Sequence, residues 1–367
     1  MASVVYNAVS VNGTVRGVER YHLGVLPALA ALDADLRIAV LRAPWQEYYA
    51  PLAGLPGIDL VTVAPPRSRA RRGLWQLLDG GLRGRAPDLI HLGNVLPAPA
   101  AARAPIVSMV HDVIEFRASG SYDPLRRWAR RRLVRRLGRR SRALVTVAEG
   151  TARELEALLG LPSGAVEPIG MGVEPPPPGV AVRPAAGRDR AIVFVGGIDV
   201  HKRLDLAVAA LAELPGLELR VVSAGGQAEP AVRELARRLR VDDRVHWLGR
   251  LDDREAREVV ARSAALVMPS DLEGFGIPIL EALQVGTPAV ISSGVPLASE
   301  WCRHGGPVFR QGDAADLAAA LRRLLADDAG REALTRLGPE LAAGYTWLAV
   351  AERLLAVWRR VLGRPGV

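Results

Sequence analysis

Two glutamates, Glu273 and Glu281, bracket the stretch Glu273-Gly-Phe-Gly-Ile-Pro-Ile-Leu-Glu281. Gly274 and Gly276 leave backbone N–H groups bare just where a helix should begin, close to the positive end of its dipole. Such a place suits an anionic or hydroxyl-rich ligand, and a flanking carboxylate accepts hydrogen bonds from hydroxyls. Taken singly, Glu273 reads as an N-terminal helix charge and Glu281 as part of a solvated face. The whole string, with glycines and prolines set around both acids, points instead to a ligand loop. A second residue stands out by rarity. Of 48 Lys and Arg residues, 47 are arginine and one is lysine, Lys202. In a chain so biased, a surviving lysine marks a place where a compact ammonium is needed rather than a planar guanidinium. His111, next to Asp112, follows an apolar run and so falls at a strand's carboxyl end.

Short β-rich runs alternate with helical patterns along the chain. Strands are expected near 3–7, 36–41, 58–63, 89–92, 106–110, 143–147 and 166–169, then near 191–195, 217–222, 245–248, 265–268, 289–291 and 308–309. Helical patterns include Gly17–Leu32 and Thr151–Leu159. This alternation predicts an α/β fold of two doubly wound parallel sheets. Glu174-Pro-Pro-Pro-Pro-Gly separates the halves, because four prolines fit neither a helix nor a central strand. The expected division is 1–174, a linker at 175–190, a second domain at 191–345 and a terminal helix at 346–367. The two domains are expected to face each other across a cleft, with ligands at the strands' carboxyl ends. Neither half has a G-x-G-x-x-G or a G-x-x-x-x-G-K-[ST] loop, so ordinary dehydrogenase and P-loop chemistry lose support.

Composition narrows the class further. A chain of 367 residues, 49% hydrophobic and 24% charged, has room for two globular cores. No apolar run is long enough to span a bilayer, and the N-terminus lacks signal-peptide features, so a cytoplasmic protein is expected. One cysteine, Cys302, excludes an intrachain disulfide framework. The net charge of +9 rests on arginines that, with abundant Ala, Gly and Pro, reflect in part a GC-rich genome.

The loop resembles that of the retaining, nucleotide-sugar-dependent group 1 glycosyltransferases (family four) of the GT-B fold. Their hallmark is a glutamate, seven residues and a second glutamate within E-G-F-G-x-P-x-L-E-A. The resemblance extends to Phe194-Val-Gly-Gly-Ile-Asp-Val-His-Lys-Arg203, Gly286-Thr-Pro-Ala-Val, Pro296-Leu-Ala-Ser-Glu300 and the closing Tyr345-Thr-Trp. In the first half it includes Gly17-Val-Glu-Arg-Tyr and His111-Asp112. It implies a catalytic set of His111, Lys202 and Glu273. The implied donor site comprises Gly197, Lys202, Arg203, Glu273, Gly274, Phe275, Gly276, Ile277 and Glu281, with Glu281 on the ribose and Lys202 on the leaving diphosphate. Gly13, Arg16, Gly17 and Asp112 form the implied acceptor-side loop. The donor would be a GDP- or UDP-linked sugar, with no cofactor and no metal ion. Two positions depart from the pattern: Gly197 stands where the family often has an arginine, and Arg16-Gly17 replaces a Gly-Gly pair. Arg203 or Arg250 is a candidate for the missing charge.

Two other readings are weaker. A nucleotide-sugar epimerase shares the fold, whereas a phosphorylase would need a pyridoxal lysine beside Lys202. A basic nucleic-acid-binding protein would need a recognition helix or an aromatic–basic platform, and none is legible. Asp33-Ala-Asp35 precedes a strand at the sheet's opposite end and reads as a surface loop rather than a metal site. Leu125–Arg142 holds ten arginines in eighteen positions. As a helix it is expected to gather Leu125, Trp128, Ala129, Leu133 and Leu137 toward one face. Its arginines are then either solvated surface or an anchor to an anionic membrane, with a sugar, lipid-linked or small-molecule acceptor.

Overall fold

In the computed structural model, which describes residues 2–10, 15, 17–100, 102–113 and 124–363, the chain divides into two compact units. One is Met1–Gly172 with Thr346–Val367, the other Val173–Tyr345. The first contains β1 (Ala2–Asn7), α1 (Gly17–Leu32), β2 (Leu36–Arg42), β3 (Ile58–Thr62), α2 (Arg69–Leu78), β4 (Leu89–Leu92), β5 (Ile106–Val110), α3 (Pro124–Arg140), β6 (Ala143–Thr146), α4 (Glu149–Leu159) and β7 (Val166–Pro168). Its seven strands are parallel in the order β3-β2-β1-β4-β5-β6-β7. Every residue of β4, β5 and β6 is buried, as expected of strands covered by helices on both faces. The strand order reverses between β1 and β4, the kind of place where open α/β sheets form a ligand crevice.

The second unit contains β8 (Asp189–Val195), α5 (Leu204–Ala212), β9 (Glu218–Val222), α6 (Glu229–Arg238), β10 (Val245–Gly249), α7 (Asp253–Arg262), β11 (Ser263–Met268), α8 (Ile277–Gln284), β12 (Ala289–Ser292), α9 (Ala298–Arg303), β13 (Val308–Phe309), α10 (Ala314–Ala326) and α11 (Asp328–Ala342). Six parallel strands run β10-β9-β8-β11-β12-β13, reversing between β8 and β11. The proline-rich segment is held to this unit by Arg188, whose guanidinium donates to the carbonyls of Arg183, Ala261 and Val285.

The last helix, α12 (Trp347–Val361), belongs to the first unit. Trp347 fits only because residues 24 and 172 are glycines: a Cβ at Gly24 would lie 2.0 Å from its indole, and one at Gly172 2.5 Å. Trp358 donates its indole N–H to His91 at 3.2 Å. Arg359 bonds Asp33 at 3.0 Å, which gives the Asp33–Asp35 loop a structural role.

Helix α3 corrects one expectation. Trp128 is exposed, while Val134 and Leu137 are fully buried and Leu133 is partly so. At about 100° per residue, Trp128 lies about 180° around the helix from Leu137, so the two cannot share a face. Leu125 and Ala129 have side chains outside the described set.

Candidate active site

In the second unit, the two loops singled out in the sequence leave adjacent strands on either side of the order reversal. Residues 196–203 follow β8 and residues 269–276 follow β11. The Asp271 N–H donates to the His201 carbonyl at 2.8 Å and ties the loops together. Gly276, just before α8, has φ of 104°, a left-handed conformation open to glycine at little cost. Pro278 then fits the first turn, where its missing N–H costs nothing. No side chain caps α8; Pro278 brings no N–H to its first turn, and the Ile279 N–H donates to the Gly276 carbonyl at 2.9 Å, so what the helix start offers an anion is chiefly the positive end of its dipole. Phe275 is buried edge-on against Tyr345, and Ile277 is half-buried at the start of the helix.

Lys202 and Glu273 meet across these loops. The Lys202 ammonium donates to both carboxylate oxygens, at 2.6 and 2.8 Å, and the Ser270 hydroxyl donates to Oε1 at 2.6 Å. The Glu273 side chain is only 8% exposed, so this is a largely desolvated, charge-assisted pair. Arg203, with φ of 52°, turns its guanidinium onto Asp205 and Asp271, at 3.0 and 3.1 Å. These bonds engage Arg203 with two carboxylates. Gly197 packs close to the Asp199 carboxylate, and a Cβ there would lie 3.1 Å from it.

Glu281 is buried, one turn into α8. Behind it lies Arg257 of α7, also buried, whose Nη2 donates to Glu281 Oε1 at 3.3 Å and whose Nη1 donates to the Glu281 carbonyl and to Gln284 Oε1. Nothing in the sequence separates Arg257 from 46 other arginines. Ser270 was likewise not singled out. Gly226 was missed too: a Cβ there would lie 2.3 Å from the Ile198 carbonyl oxygen, so the neighbouring loop rests directly on this glycine.

In the first unit His111 follows β5 with 9% exposure, and Asp112 beside it is half-buried. Its Nε2 lies 2.9 Å from the Gly93 carbonyl oxygen, and His22 Nε2 lies 3.0 Å from the same atom. A carbonyl only accepts, so both Nε2 atoms carry hydrogen. The Tyr49 hydroxyl therefore donates to His22 Nδ1, 2.5 Å away. The Trp358 indole fixes His91 in the same manner, since it can only donate to Nδ1. Burial lowers His111 to about 4 and, aided by His111, lowers His22 to about 3; burial also holds His91 well below the usual range. All three rings are neutral at physiological pH. Tyr21 packs edge-on against His111 at 5.1 Å, and its buried hydroxyl has no hydrogen-bond partner among the described residues. His22 and His91 are both buried; His22 shares the Gly93 carbonyl with His111, and His91 is held by Trp358 and stacked on Tyr6. Gly17 opens α1, while Gly13 and Arg16 lie outside the described residues.

Among the described residues no group of three or more His, Cys, Asp or Glu could hold a metal ion. No helix among them is long and apolar enough to cross a membrane.

Residues 181–340 match the family described as Glycosyl transferases group 1, and residues 15–175 match Glycosyltransferase Family 4. The chain is 30% identical to a glycogen synthase of Mycobacterium tuberculosis over 318 residues, covering 81% of this chain and 74% of the relative. It is 31% identical to a D-inositol 3-phosphate glycosyltransferase of Nocardiopsis dassonvillei over 312 residues, covering 74% and 70%. Among solved structures, sucrose-phosphate synthase from Thermosynechococcus elongatus superimposes with a TM-score of 0.77 at 19% identity, covering 99% of this chain and all of that one. WaaG, a glycosyltransferase involved in lipopolysaccharide biosynthesis, gives 0.72 at 16% identity, with 96% and 99% covered. The sheets, their order and these likenesses agree, and the chain belongs to the group 1 glycosyltransferases, with the GT-B fold.

Proposed function

We propose that the protein transfers a sugar from a nucleoside-diphosphate donor, GDP- or UDP-linked, to an acceptor hydroxyl with retention of anomeric configuration. One observation carries this reading: Lys202 and the uncapped start of α8 converge beside Glu273, with Glu281 one turn further on. The ammonium and the positive end of the α8 dipole receive the diphosphate, and Glu281, held by Arg257, accepts from the ribose hydroxyls. Neutral His111, its Nε2–H held by the Gly93 carbonyl, has Nδ1 to accept a hydrogen bond from a sugar hydroxyl and brings no charge.

In the reaction the bond from the anomeric carbon to the diphosphate oxygen breaks, and its electron pair leaves with the phosphate. The acceptor oxygen bonds to that carbon on the same face and gives its proton to the departing phosphate oxygen. Lys202 and the positive end of α8 stabilise the charge that grows there, an arrangement whose individual contacts are typically worth about 10²–10³ in rate. Both oxygens of Glu273 accept hydrogen bonds, which blunts it as a nucleophile and supports front-face attack over a covalent intermediate.

NMR of the first-formed product tests the reading. Product with the donor's anomeric configuration is expected; inversion would remove it. A thermal-shift panel of nucleoside diphosphates identifies the base, since a bound ligand raises apparent stability by mass action.

A further inference from the structure

The excess of positive charge is not spread over the chain. Residues 1–172 with 346–367 hold 27 arginines against 15 acidic residues, a net of +12. Residues 173–345 hold 20 arginines, Lys202 and 24 acidic residues, a net of −3. Both units prefer arginine over lysine, so a genomic bias sets the type of cation but not this asymmetry. Twelve of the 27 arginines lie on two helices, three on α2 and nine on α3, and neither helix contains an acidic residue.

Those helices cover the same side of the sheet. Trp75 of α2 and Leu133 and Leu137 of α3 pack against one apolar cluster with Val5, Ile90 and Ile106. Both leave large apolar side chains on the outside. Leu74 and Leu78, one turn apart, are 56% and 58% exposed, and Trp128 is 55% exposed. Arg132 lies over the Trp128 ring at 5.1 Å, and Arg131, Arg135 and Arg139 are exposed on the same helix.

Arginines alone serve solubility, but exposed leucines and a tryptophan among them do not. Cations that meet anionic headgroups, with Trp and Leu to enter the headgroup–acyl boundary, make an interfacial surface. A nucleic acid would satisfy the arginines and leave the leucines nothing to bury against. Helices in these units run antiparallel to their strands. Trp128, near the start of α3, therefore belongs to the carboxyl edge of the sheet, the edge that carries His111.

We infer that the α2–α3 face docks on an anionic lipid bilayer and so offers the His111 edge to an acceptor held at the lipid surface. Only the nature of that acceptor rests on the transferase reading. Vesicle binding is measured without donor or turnover, so failure of the docking and failure of the transferase reading are told apart.

The whole protein is sedimented with phosphatidylcholine vesicles, and with phosphatidylcholine–phosphatidylglycerol vesicles at low and high salt. Sedimentation with the anionic vesicles alone, reversed by salt, is expected. The triple variant Arg131→Gln/Arg135→Gln/Arg139→Gln should lower the partition coefficient about a hundredfold, at roughly fivefold per cation. Leu74→Ser/Leu78→Ser should lower it about tenfold with the charge unchanged. All five side chains are exposed, and a thermal melt checks that both variants fold. Equal binding to both lipids, no binding, a leucine variant that binds like the parent, or release of the vesicles by competing duplex DNA would each overturn the inference.

Discussion

The Lys202 ammonium lies 2.6 and 2.8 Å from the two carboxylate oxygens of Glu273, so the chain's only lysine is already paired before any ligand arrives. Under the proposed function, a diphosphate must compete with Glu273 for it. Glu273→Gln keeps the shape and the Ser270 contact but removes the competing charge. Its expected phenotype is split: a nucleoside diphosphate binds several-fold tighter by calorimetry, while turnover falls. Lys202→Ala should weaken the same binding and lower kcat by about 10²–10³. Weaker diphosphate binding by Glu273→Gln would show that the carboxylate supports the phosphate site rather than opposing it.

Arg257 and Glu281 form a buried pair, each less than a tenth exposed at the side chain. Removing one partner of such a pair strands the other's charge, typically at a cost of about 3–5 kcal/mol. Arg257→Met should therefore lose stability on that scale in urea denaturation. Arg257→Met/Glu281→Gln should recover a large part of it, since no buried charge is then left alone. Additive losses in the double variant would mean that the two do not stabilise each other.

The strands, the loops that leave β8 and β11, and the helix that begins after Gly276 were legible because they rest on local patterns. Periodic burial sets the strands; a glycine forced to φ of 104° marks the start of α8. What was hidden depends on the third dimension. Arg257 is one arginine among 47, and only packing makes it the buried partner of Glu281. His22 and His91 lie far apart in sequence, and the shared Gly93 carbonyl and the Trp358 indole give them their meaning. Trp128 was placed on the wrong side of its helix because apolar character was counted ahead of angle. Arg203, one candidate for a second charge on the diphosphate, is engaged by Asp205 and Asp271.

The buried histidines set a direction for pH dependence. His111 and His22 are lowered to about 4 and about 3 in the folded chain, against about 6.5 when unfolded. Between those limits the unfolded chain binds more protons, so stability is fully present above about pH 6.5 and is lost as pH falls, by roughly 1.4 kcal/mol per pH unit for each ring. Melting temperature should fall steeply from pH 6.5 toward 4, and His22→Gln should flatten that slope. An equal slope in the variant would remove His22 from the account.

The same neutrality bears on turnover. If His111 acts as an uncharged hydrogen-bonding group, kcat/KM between pH 5.5 and 8 carries no inflection that belongs to it. His111→Gln should lower the whole profile without changing its shape. An acid limb that disappears in this variant would show that His111 titrates during the reaction.

Gly226 tests whether the Lys202 loop must be held in place. A Cβ at this position would lie 2.3 Å from the Ile198 carbonyl oxygen and 2.7 Å from the Ile198 nitrogen. Both are backbone atoms, so no side chain can turn away, and the segment must shift. Ile198 N–H donates to the Gly225 carbonyl at 3.1 Å, and the Ala228 N–H donates to the Ile198 carbonyl at 2.9 Å, so the shift also strains those bonds. Lys202 lies four residues on, and a displacement near 1 Å at a reacting centre can cost about a hundredfold in rate. Gly226→Ala should therefore reduce kcat by more than its loss of stability alone explains. Gly187→Ala, where a Cβ meets nothing within 4 Å, serves as the control and should leave turnover unchanged. Equal activity of the two variants would mean that the loop tolerates the shift and that its contact with Gly226 does not set the position of Lys202.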